Sequence, residues 1–253
     1  MKNFSIHIDK NNFFNQIFVP LSHKFLSVLK LNGAKVIFDQ EPSNKVRKII
    51  FGSHAAPEYW LSKINNDDII VNLEPIFKTE FRKTNKKYLN LLNNAQVLDY
   101  SSKNLNFLNN AKLFNIPPFY VTPQSGDKIT YQKTYDILFV GSVNKLRDNY
   151  LKILNNKYKL VTGFKIFSNN LDTAIKSSKL YLHIKQDEFD LFNYFKFSHC
   201  MLYPTVYAGH SGILSDDKEF LSLKGLTIFS KDEDLFNGID ILLNDEEMYF
   251  NIL

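Results

Sequence analysis

The segment Tyr135–Arg147 constrains the fold more than any other part of the chain. Within it, four consecutive apolar residues, Ile137 to Val140, lead directly into Gly141 and Ser142, and a helical pattern follows. An unbroken apolar run that ends in a glycine turn is typical of a strand buried on both faces of an α/β sheet. The turn after such a strand lies at the carboxyl edge of the sheet, where open parallel sheets bind their ligands.

Short β-like runs alternate with helical runs along the chain, a pattern that indicates βαβ units and parallel sheets. Predicted strands are Phe4–Ile8, Lys35–Phe38, Lys48–Phe51, Ile69–Asn72, Gln96–Leu98, Asp136–Val140, Lys159–Thr162, Leu180–Ile184, Met201–Val206 and Thr227–Phe229. Predicted helices are Phe13–Leu31, broken or kinked at Pro20, then Glu58–Ile64, Glu80–Asn93, Lys103–Asn109, Lys145–Leu154, Asn170–Ser177, Leu191–His199 and Asp232–Leu243.

A polar stretch that begins at Pro117-Pro118 separates the two halves of the chain and carries Pro123, Ser125 and Gly126. Adjacent prolines followed by polar residues are typical of a linker, and a new buried strand begins after it. The predicted fold class is therefore α/β, with two Rossmann-like domains that face a cleft. We assign residues 1–125 to the N-terminal domain and residues 126–253 to the C-terminal domain.

The composition bears on location and partners rather than on the fold. A single cysteine, Cys200, excludes an internal disulfide and favours a reducing cytoplasm. No apolar run approaches a membrane span, and the N-terminus lacks a signal-peptide pattern. Residues 1–126 hold 16 Lys and Arg against 9 Asp and Glu, whereas the remainder holds 15 against 17. This excess of basic residues is consistent with binding to an anionic membrane surface, an anionic acceptor or nucleic acid. It is equally consistent with solvated lysines on helix surfaces that bind no partner.

Several highly specific motifs are absent from the sequence. It contains no GxxxxGK[ST] phosphate loop, no GxGxxG, no HExxH and no CxxC. The segment Gly209–Gly212 differs in spacing from the GxSxG elbow of hydrolases. The sequence therefore predicts neither a resident metal nor a cofactor.

Polar residues follow several predicted strands of the second half. They are Gly141, Ser142, Asn144, Arg147, His183, Lys185, Asn193, Lys196, Gly209, His210, Ser211 and Gly212. Parallel strands would bring them to one edge of the sheet, where cations and backbone amides suit a diphosphate. The alternatives are a satisfied core histidine for His183, a surface lysine for Lys185 and an ordinary turn for Gly209–Gly212.

Two loops of the first half carry candidate catalytic residues. His54 follows the strand that ends at Phe51, and Glu74 follows the strand that ends at Asn72. A histidine at a strand end can take a proton from an acceptor hydroxyl near neutral pH. The alternatives are that His54 is structural and that Glu74 orients it or caps a helix. The segment Asp99-Tyr100-Ser101, which closes the strand Gln96–Leu98, is a third candidate and is interpreted as a helix N-cap.

The ordered set of these segments resembles the GT-B-type bacterial glycosyltransferases, in particular the glycosyltransferase family 1-like and CgeB-like proteins. The segments that carry the resemblance are Gly52–His54, Val71–Glu74, Leu98–Ser101, Pro117-Pro118, Asp136–Asn144 with Arg147, and Leu182–Ile184 near Phe192. Members of that family have the pattern F-E-x-x-R where this chain has Phe192-Asn193-Tyr194-Phe195-Lys196. Asn193 therefore stands where a glutamate is expected to bind the donor ribose.

The resemblance implies a metal-independent enzyme that transfers a sugar from a nucleotide-sugar, bound mainly by the C-terminal domain. The N-terminal domain would bind the acceptor. Their strand-end positions in that domain make His54 and Glu74 the predicted catalytic residues. We expect the acceptor to be a glycan or a lipid-linked saccharide in surface polysaccharide or lipooligosaccharide synthesis. Peripheral contact with the inner face of the membrane is expected through the basic half. The alternative is a non-catalytic nucleotide- or glycan-binding partner subunit on the same scaffold. The sequence pI of about 9.0 is compatible with a nucleic-acid partner, but no recognition motif supports one.

Overall fold

The computed structural model describes residues 3–8, 18–38, 45–113, 132–163, 166, 169–187, 194–200, 203–210, 226–229 and 231–252. The chain divides into two compact units, Met1–Ile116 and Pro117–Leu253, which we call the N-terminal and C-terminal units. The predicted domain boundary lies outside the described residues. Each unit is built on a parallel sheet with helices, so the predicted α/β fold class is confirmed.

In the N-terminal unit the described strands are β1 (Asn3–Ile8), β2 (Lys35–Phe38), β3 (Arg47–Phe51), β4 (Ile69–Asn72), β5 (Gln96–Asp99) and β6 (Ala111–Leu113). They form a parallel sheet in the order β2-β1-β3-β4-β5-β6. The helices are α1 (Val19–Leu31), α2 (Pro57–Leu61), α3 (Thr79–Thr84), α4 (Lys86–Asn93) and α5 (Ser102–Leu105), and a 3-10 turn spans Ser53–Ala55.

In the C-terminal unit the described strands are β7 (Tyr135–Val140), β8 (Leu160–Gly163), β9 (Ser178–His183), β10 (Val206–His210) and β11 (Leu226–Phe229). Their order is β11-β10-β9-β7-β8, again with parallel pairing. The helices are α6 (Lys145–Asn155), α7 (Asn169–Lys176), α8 (Tyr194–Cys200), α9 (Asp232–Asn244) and α10 (Glu246–Ile252).

The sheet of the C-terminal unit is buried on both faces, as the unbroken apolar run of β7 predicts. Ile137 and Phe139 pack on one face against α6, α9 and α10. Leu138 and Val140 point the other way and pack against α7 and α8. Because alternate side chains of a strand face opposite sides, a four-residue apolar run is what a sheet between two helical layers requires.

Helices also pack against both faces of the N-terminal sheet. Ile50, Ile70 and Val97 pack on one face against α2 and α4. On the other face Phe51 meets the ring of Phe25 from α1 edge-on, with centroids 5.2 Å apart. No helix among the described residues has both the length and the apolar content needed to cross a bilayer.

One predicted strand is wrong. The prediction Met201–Val206 is displaced, because the strand is β10, which begins at Val206 and ends at His210. Gly209 and His210 therefore lie inside a strand rather than in the loop after it, and Gly209 is paired with His183 of β9. Glycine is a poor strand former, but here β10 pairs with a strand on each side and is fully buried, which outweighs local propensity.

Several helix boundaries also differ from the predictions. The helix predicted at Glu80–Asn93 is interrupted at Asn85, whose side chain donates to the Phe81 carbonyl and so competes with the helical pattern. Pro20 lies in the first turn of α1, a position that tolerates its missing N–H, and residues 13–17 of the predicted helix lie outside the described residues. The prediction did not include β6 or α10.

Candidate functional site

Each sheet has one point at which its strand order reverses. From β1 the chain forms β2 on one side and then β3 on the other side of β1. From β7 it likewise forms β8 on one side and then β9 on the other. The carboxyl ends of β1 and β3, and those of β7 and β9, are therefore topological switch points, where open α/β sheets bind ligands.

The turn from β7 to α6 lies at the switch point of the C-terminal unit. Gly141 has a φ of +156°, and a Cβ there would lie 3.4 Å from Lys196 Nζ and 3.8 Å from Arg147 Nη1. Two cations therefore lie close to the turn. Asn144 caps α6, since its Oδ1 accepts the Arg147 N–H at 2.9 Å while its Nδ2 donates to the Gln186 carbonyl at 2.8 Å.

The guanidinium of Arg147 connects the two strands of this switch point. Its Nε donates to the Ile184 carbonyl after β9 at 2.9 Å, and its Nη1 donates to the Ser142 carbonyl after β7 at 3.0 Å. The side chain is 5% exposed. Arg147 therefore holds the site together as well as supplying positive charge to it.

Lys196 and His183 lie against the same turn. Lys196, from α8, donates to the Val140 carbonyl. Burial holds the pKa of His183 well below its usual range, and the positive charges of Lys196 and Arg147 lower it further. His183 therefore stays neutral at pH 7 and offers this site a hydrogen-bonding group rather than a third charge.

A second polar cluster surrounds Asp232 at the start of α9. The Nζ of Lys185, which is 4% exposed, lies 3.6 Å from Asp232 Oδ1, and His210 Nε2 lies 3.2 Å from the same oxygen. A hydrogen bond from Tyr150, and then the charge of Lys185, lower the pKa of Asp232. Lys185 is thus ion-paired near the sheet edge and does not extend into water.

The structure brings together half of the predicted donor-binding residues at this switch point: Gly141, Ser142, Asn144, Arg147, His183 and Lys196. Lys185 and His210 contact Asp232 instead. Gly209 lies within β10, while Asn193, Ser211 and Gly212 lie outside the described residues. Asp232 and Tyr150 were not predicted; the signal for Asp232 was an acidic residue opening the helix that follows a predicted strand.

In the N-terminal unit, His54 and Glu74 lie side by side. Gly52 ends the turn out of β3 with a φ of +71°, and His54 follows in the 3-10 turn. His54 Nδ1 is 3.4 Å from Glu74 Oε1, and their side chains are 30% and 24% exposed. The rings of Phe18 and Tyr88 meet the imidazole edge-on at 6.2 and 6.1 Å. A partly exposed imidazole with a carboxylate at Nδ1 can accept a proton at Nε2.

A buried polar network lies beneath this pair. Asn72 Nδ2 donates to Asp99 Oδ2 at 2.6 Å, and Asn104 Nδ2 donates to Asp99 Oδ1 at 2.9 Å. The Tyr88 hydroxyl donates to Asn72 Oδ1 at 2.8 Å. Asn72 and Asp99 are direct neighbours because β4 and β5 pair in that register. Sequence reasoning missed Asn72, Asn104 and Tyr88, although matched polar residues at the ends of adjacent strands were a usable signal.

The segment Asp99–Ser101 contains the N-cap of α5, as the sequence predicted. The residue before α5 is Ser101, and Asp99 accepts its backbone N–H at 2.8 Å. Burial raises the pKa of Asp99 to about 6, although hydrogen bonds from Asn72, Ser101 and Asn104 oppose the shift. A carboxyl group with a pKa perturbed in this way is a candidate for a functional site.

Comparison with known proteins identifies the fold. No family model and no curated protein matches the chain. Among solved structures, the chain is similar to the T4 phage BGT in complex with UDP and Mn2+, with a TM-score of 0.65 and 12% identity over 100% of this chain and 92% of that one. It is also similar to an α1,3-fucosyltransferase with GDP, with a TM-score of 0.53 and 10% identity over 99% and 80% of the two chains.

The chain therefore has a GT-B-type fold, as the sequence predicted. Membership of the CgeB-like proteins stays a prediction. Within the described ranges, no three histidine, cysteine or acidic side chains are grouped to hold a metal ion.

Proposed function

We propose that this protein is a glycosyltransferase that moves a sugar from a nucleotide-sugar to a hydroxyl group of an acceptor glycan or lipid-linked saccharide. The observation that carries the proposal is the His54–Glu74 pair beside the switch point of the N-terminal sheet. A GT-B-type scaffold with a cationic turn in the C-terminal unit supports it.

The C-terminal unit would bind the donor diphosphate. Arg147 and Lys196 supply two positive charges beside the Gly141 turn, and the backbone there can approach a ligand closely because no Cβ intervenes. Charged donors of this kind hold phosphate oxygens and stabilise the negative charge that develops on a leaving nucleotide. The similar solved structures contain UDP and GDP, which makes UDP- and GDP-sugars the first donors to test.

His54 would act as the base. Its Nε2 takes the proton from the acceptor hydroxyl while the acceptor oxygen bonds to the anomeric carbon and the bond from that carbon to the diphosphate breaks. Glu74, whose Oε1 lies 3.4 Å from Nδ1, would favour the tautomer that leaves Nε2 free to accept and would stabilise the imidazolium that forms.

The transfer is proposed to need no obligatory metal, since Arg147 and Lys196 would neutralise the diphosphate. The similar T4 phage structure contains Mn2+ together with UDP, so this point requires its own test. Turnover measured in EDTA and again in Mn2+ should agree within about threefold; a rate that appears only with Mn2+ would refute metal independence.

We further propose that the acceptor belongs to surface polysaccharide or lipooligosaccharide synthesis at the cytoplasmic face of a bacterial membrane. The support is the sequence resemblance and the uneven charge, with 16 Lys and Arg against 9 Asp and Glu in residues 1–126. Basic surfaces are attracted to anionic lipid headgroups, near which lipid-linked acceptors lie.

A second candidate is a non-catalytic nucleotide- or glycan-binding subunit. Asn193, in place of the expected glutamate, favours it, because an amide binds a ribose hydroxyl with less charge assistance than a carboxylate. The two candidates differ in turnover and not in binding.

A two-stage experiment separates them. Thermal shift with UDP, GDP, CMP and dTDP sugars first identifies the nucleotide, since a ligand at a hundred times its Kd stabilises the protein by about 2.7 kcal/mol. Release of that nucleotide, with and without candidate acceptor glycans, is then measured. Acceptor-dependent release supports the transferase, whereas stabilisation without release supports the binding subunit.

A further inference from the structure

The N-terminal unit holds a buried carboxylate that the proposed chemistry does not use directly. Asp99 is fully buried at the carboxyl end of β5. Asn72 Nδ2, Asn104 Nδ2 and the Ser101 N–H all donate to it, at 2.6, 2.9 and 2.8 Å. Each of these neighbours is a donor, so Asp99 acts only as an acceptor.

The ionised carboxylate fixes the polarity of this network. It accepts on both oxygens, whereas an asparagine amide or a protonated carboxyl group would present a donor as well. Because Asp99 accepts, Asn72 and Asn104 must both turn their NH2 groups toward it. The amide oxygens of both residues then point away from Asp99.

These oriented amides hold the segment that carries Glu74. Asn72 Oδ1 accepts the Glu74 N–H at 3.1 Å, and Asn104 Oδ1 accepts the Phe77 N–H at 2.9 Å. The Nδ2 groups of both asparagines also donate to the Glu74 carbonyl, at 3.1 and 2.9 Å. If either amide flipped, its NH2 group would meet a backbone N–H, and the hold on the segment would be lost.

We propose that Asp99 is a positioning residue of the transfer reaction, which acts through Asn72 and Asn104 to hold Glu74 against His54. This inference rests on the proposed function, because it gives Asp99 a part in the chemistry of the same site. The buried network explains how the carboxylate of Glu74, on a loop, is kept 3.4 Å from the imidazole of His54.

The titration of Asp99 supports the same conclusion. Burial raises its pKa to about 6, so below that pH a growing fraction of Asp99 carries an O–H that faces donors. Among the described residues, the titratable groups next to the network are the Tyr88 phenol from α4, the Glu74 carboxylate and the His54 imidazole that contacts both. Burial, and then the charge of Glu74, raise the pKa of Tyr88, so the phenol stays neutral when Asp99 titrates.

The test compares Asp99→Asn with a matched control in the full-length protein. Asp99→Asn keeps the shape but introduces a donor group, and we expect kcat to fall by about 10- to 100-fold with the donor KM within about twofold of wild type. The control is Asp68→Asn. Asp68 is equally buried and is 2.7 Å from Lys48, but it lies just before the amino end of β4, the end opposite Glu74. The Asp68→Asn change should lower the thermal midpoint of the protein and leave kcat at 25 °C unchanged.

A double-mutant cycle distinguishes positioning from general destabilisation. In a Glu74→Gln background the carboxylate that Asp99 positions is gone, so Asp99→Asn should lower kcat by no more than about threefold further. If Asp99→Asn does not fold, Asn104→Ala removes one of the two holding amides and should lower kcat with an unchanged donor KM.

The outcomes separate this inference from the function on which it rests. If the wild-type protein transfers no sugar to any acceptor, the proposed function fails and the inference fails with it. If the wild-type protein transfers sugar but Asp99→Asn retains wild-type kcat, only the inference is overturned. The same holds if Asp99→Asn lowers kcat by an equal factor with and without the Glu74 carboxylate.

Discussion

Both sheets contain a reversal of strand order, but the side chains clustered beside that reversal differ in chemistry between the two sheets. In the N-terminal unit, a partly exposed histidine and glutamate lie above buried asparagines and a buried aspartate. In the C-terminal unit, an arginine and a lysine surround a glycine turn, and a buried histidine beside them is kept neutral. The first arrangement suits proton transfer, and the second suits a fixed negative charge.

Under the proposed function, the two sheets would contribute different chemistry to one reaction. A switch point supplies convergent strand ends and exposed backbone, which any ligand can use. The side chains placed there decide the chemistry. We therefore expect changes in the N-terminal cluster to alter turnover, and changes in the C-terminal cluster to alter affinity for the donor.

The largest effect is expected for His54→Ala. Loss of a general base should lower kcat by about 10² to 10⁴, with the Kd for the nucleotide unchanged. His23→Ala, an exposed histidine on α1, is the matched control and should keep full activity. Near-wild-type turnover in His54→Ala, together with a lower thermal midpoint, would show instead that His54 is structural.

A pH-dependent stability effect is expected in the N-terminal unit. The pKa of Asp99 is about 6 in the folded chain, against 3.8 as its ordinary value. The folded state therefore holds this proton more tightly, and stability relative to Asp99→Asn should fall by about 2–3 kcal/mol as the pH rises from 4 to 7. Fluorescence of the single tryptophan, Trp60, reports unfolding of this unit in urea. A difference between the two proteins that stays constant with pH would contradict the prediction.

Donor affinity should depend on the cations of the C-terminal unit. Arg147→Ala should weaken nucleotide binding by about 1.5–3 kcal/mol, and Lys185→Ala by less, because Asp232 already engages that lysine. Isothermal titration with the nucleotide identified by thermal shift measures both. Lys152→Ala, on the exposed face of α6, is the control and should bind normally. Unchanged affinity in both variants would remove these residues from the donor site.

The smallest expected effect is salt-dependent binding of the protein to anionic membranes. Attraction of the basic N-terminal half to anionic lipid is on the order of 1 kcal/mol per basic residue near the surface. Co-sedimentation with vesicles that contain phosphatidylserine should be clear at low salt and weak at high salt, since salt screens exposed charges. Absence of co-sedimentation at low salt would count against peripheral association.

The sequence predicted the fold better than the site. Apolar runs such as Ile137–Val140 identify strands because burial on both faces leaves a simple pattern. The position of β10 was predicted wrongly because pairing on both sides, rather than propensity, keeps Gly209 in the strand. His54 and Glu74 were predicted as a pair from their strand-end positions, and their side chains lie 3.4 Å apart.

The supporting network was less visible in the sequence. Asn72 and Asn104 act through the orientation of their amides, which depends on contacts with Asp99 and with the backbone near Glu74. Most of these contacts join residues far apart along the chain and follow no local pattern. The contacts of Asp232 with Lys185 and His210 likewise form only when β9, β10 and α9 pack together.

The division of labour between the two clusters is tested most directly by measuring kcat and nucleotide Kd together in His54→Ala and Arg147→Ala. We expect His54→Ala to lose acceptor-dependent nucleotide release by at least about 10² while its Kd stays at the wild-type value. Arg147→Ala should show the converse, a Kd raised at least about tenfold. A His54→Ala protein that turns over normally, or one that loses nucleotide binding along with activity, would contradict this division.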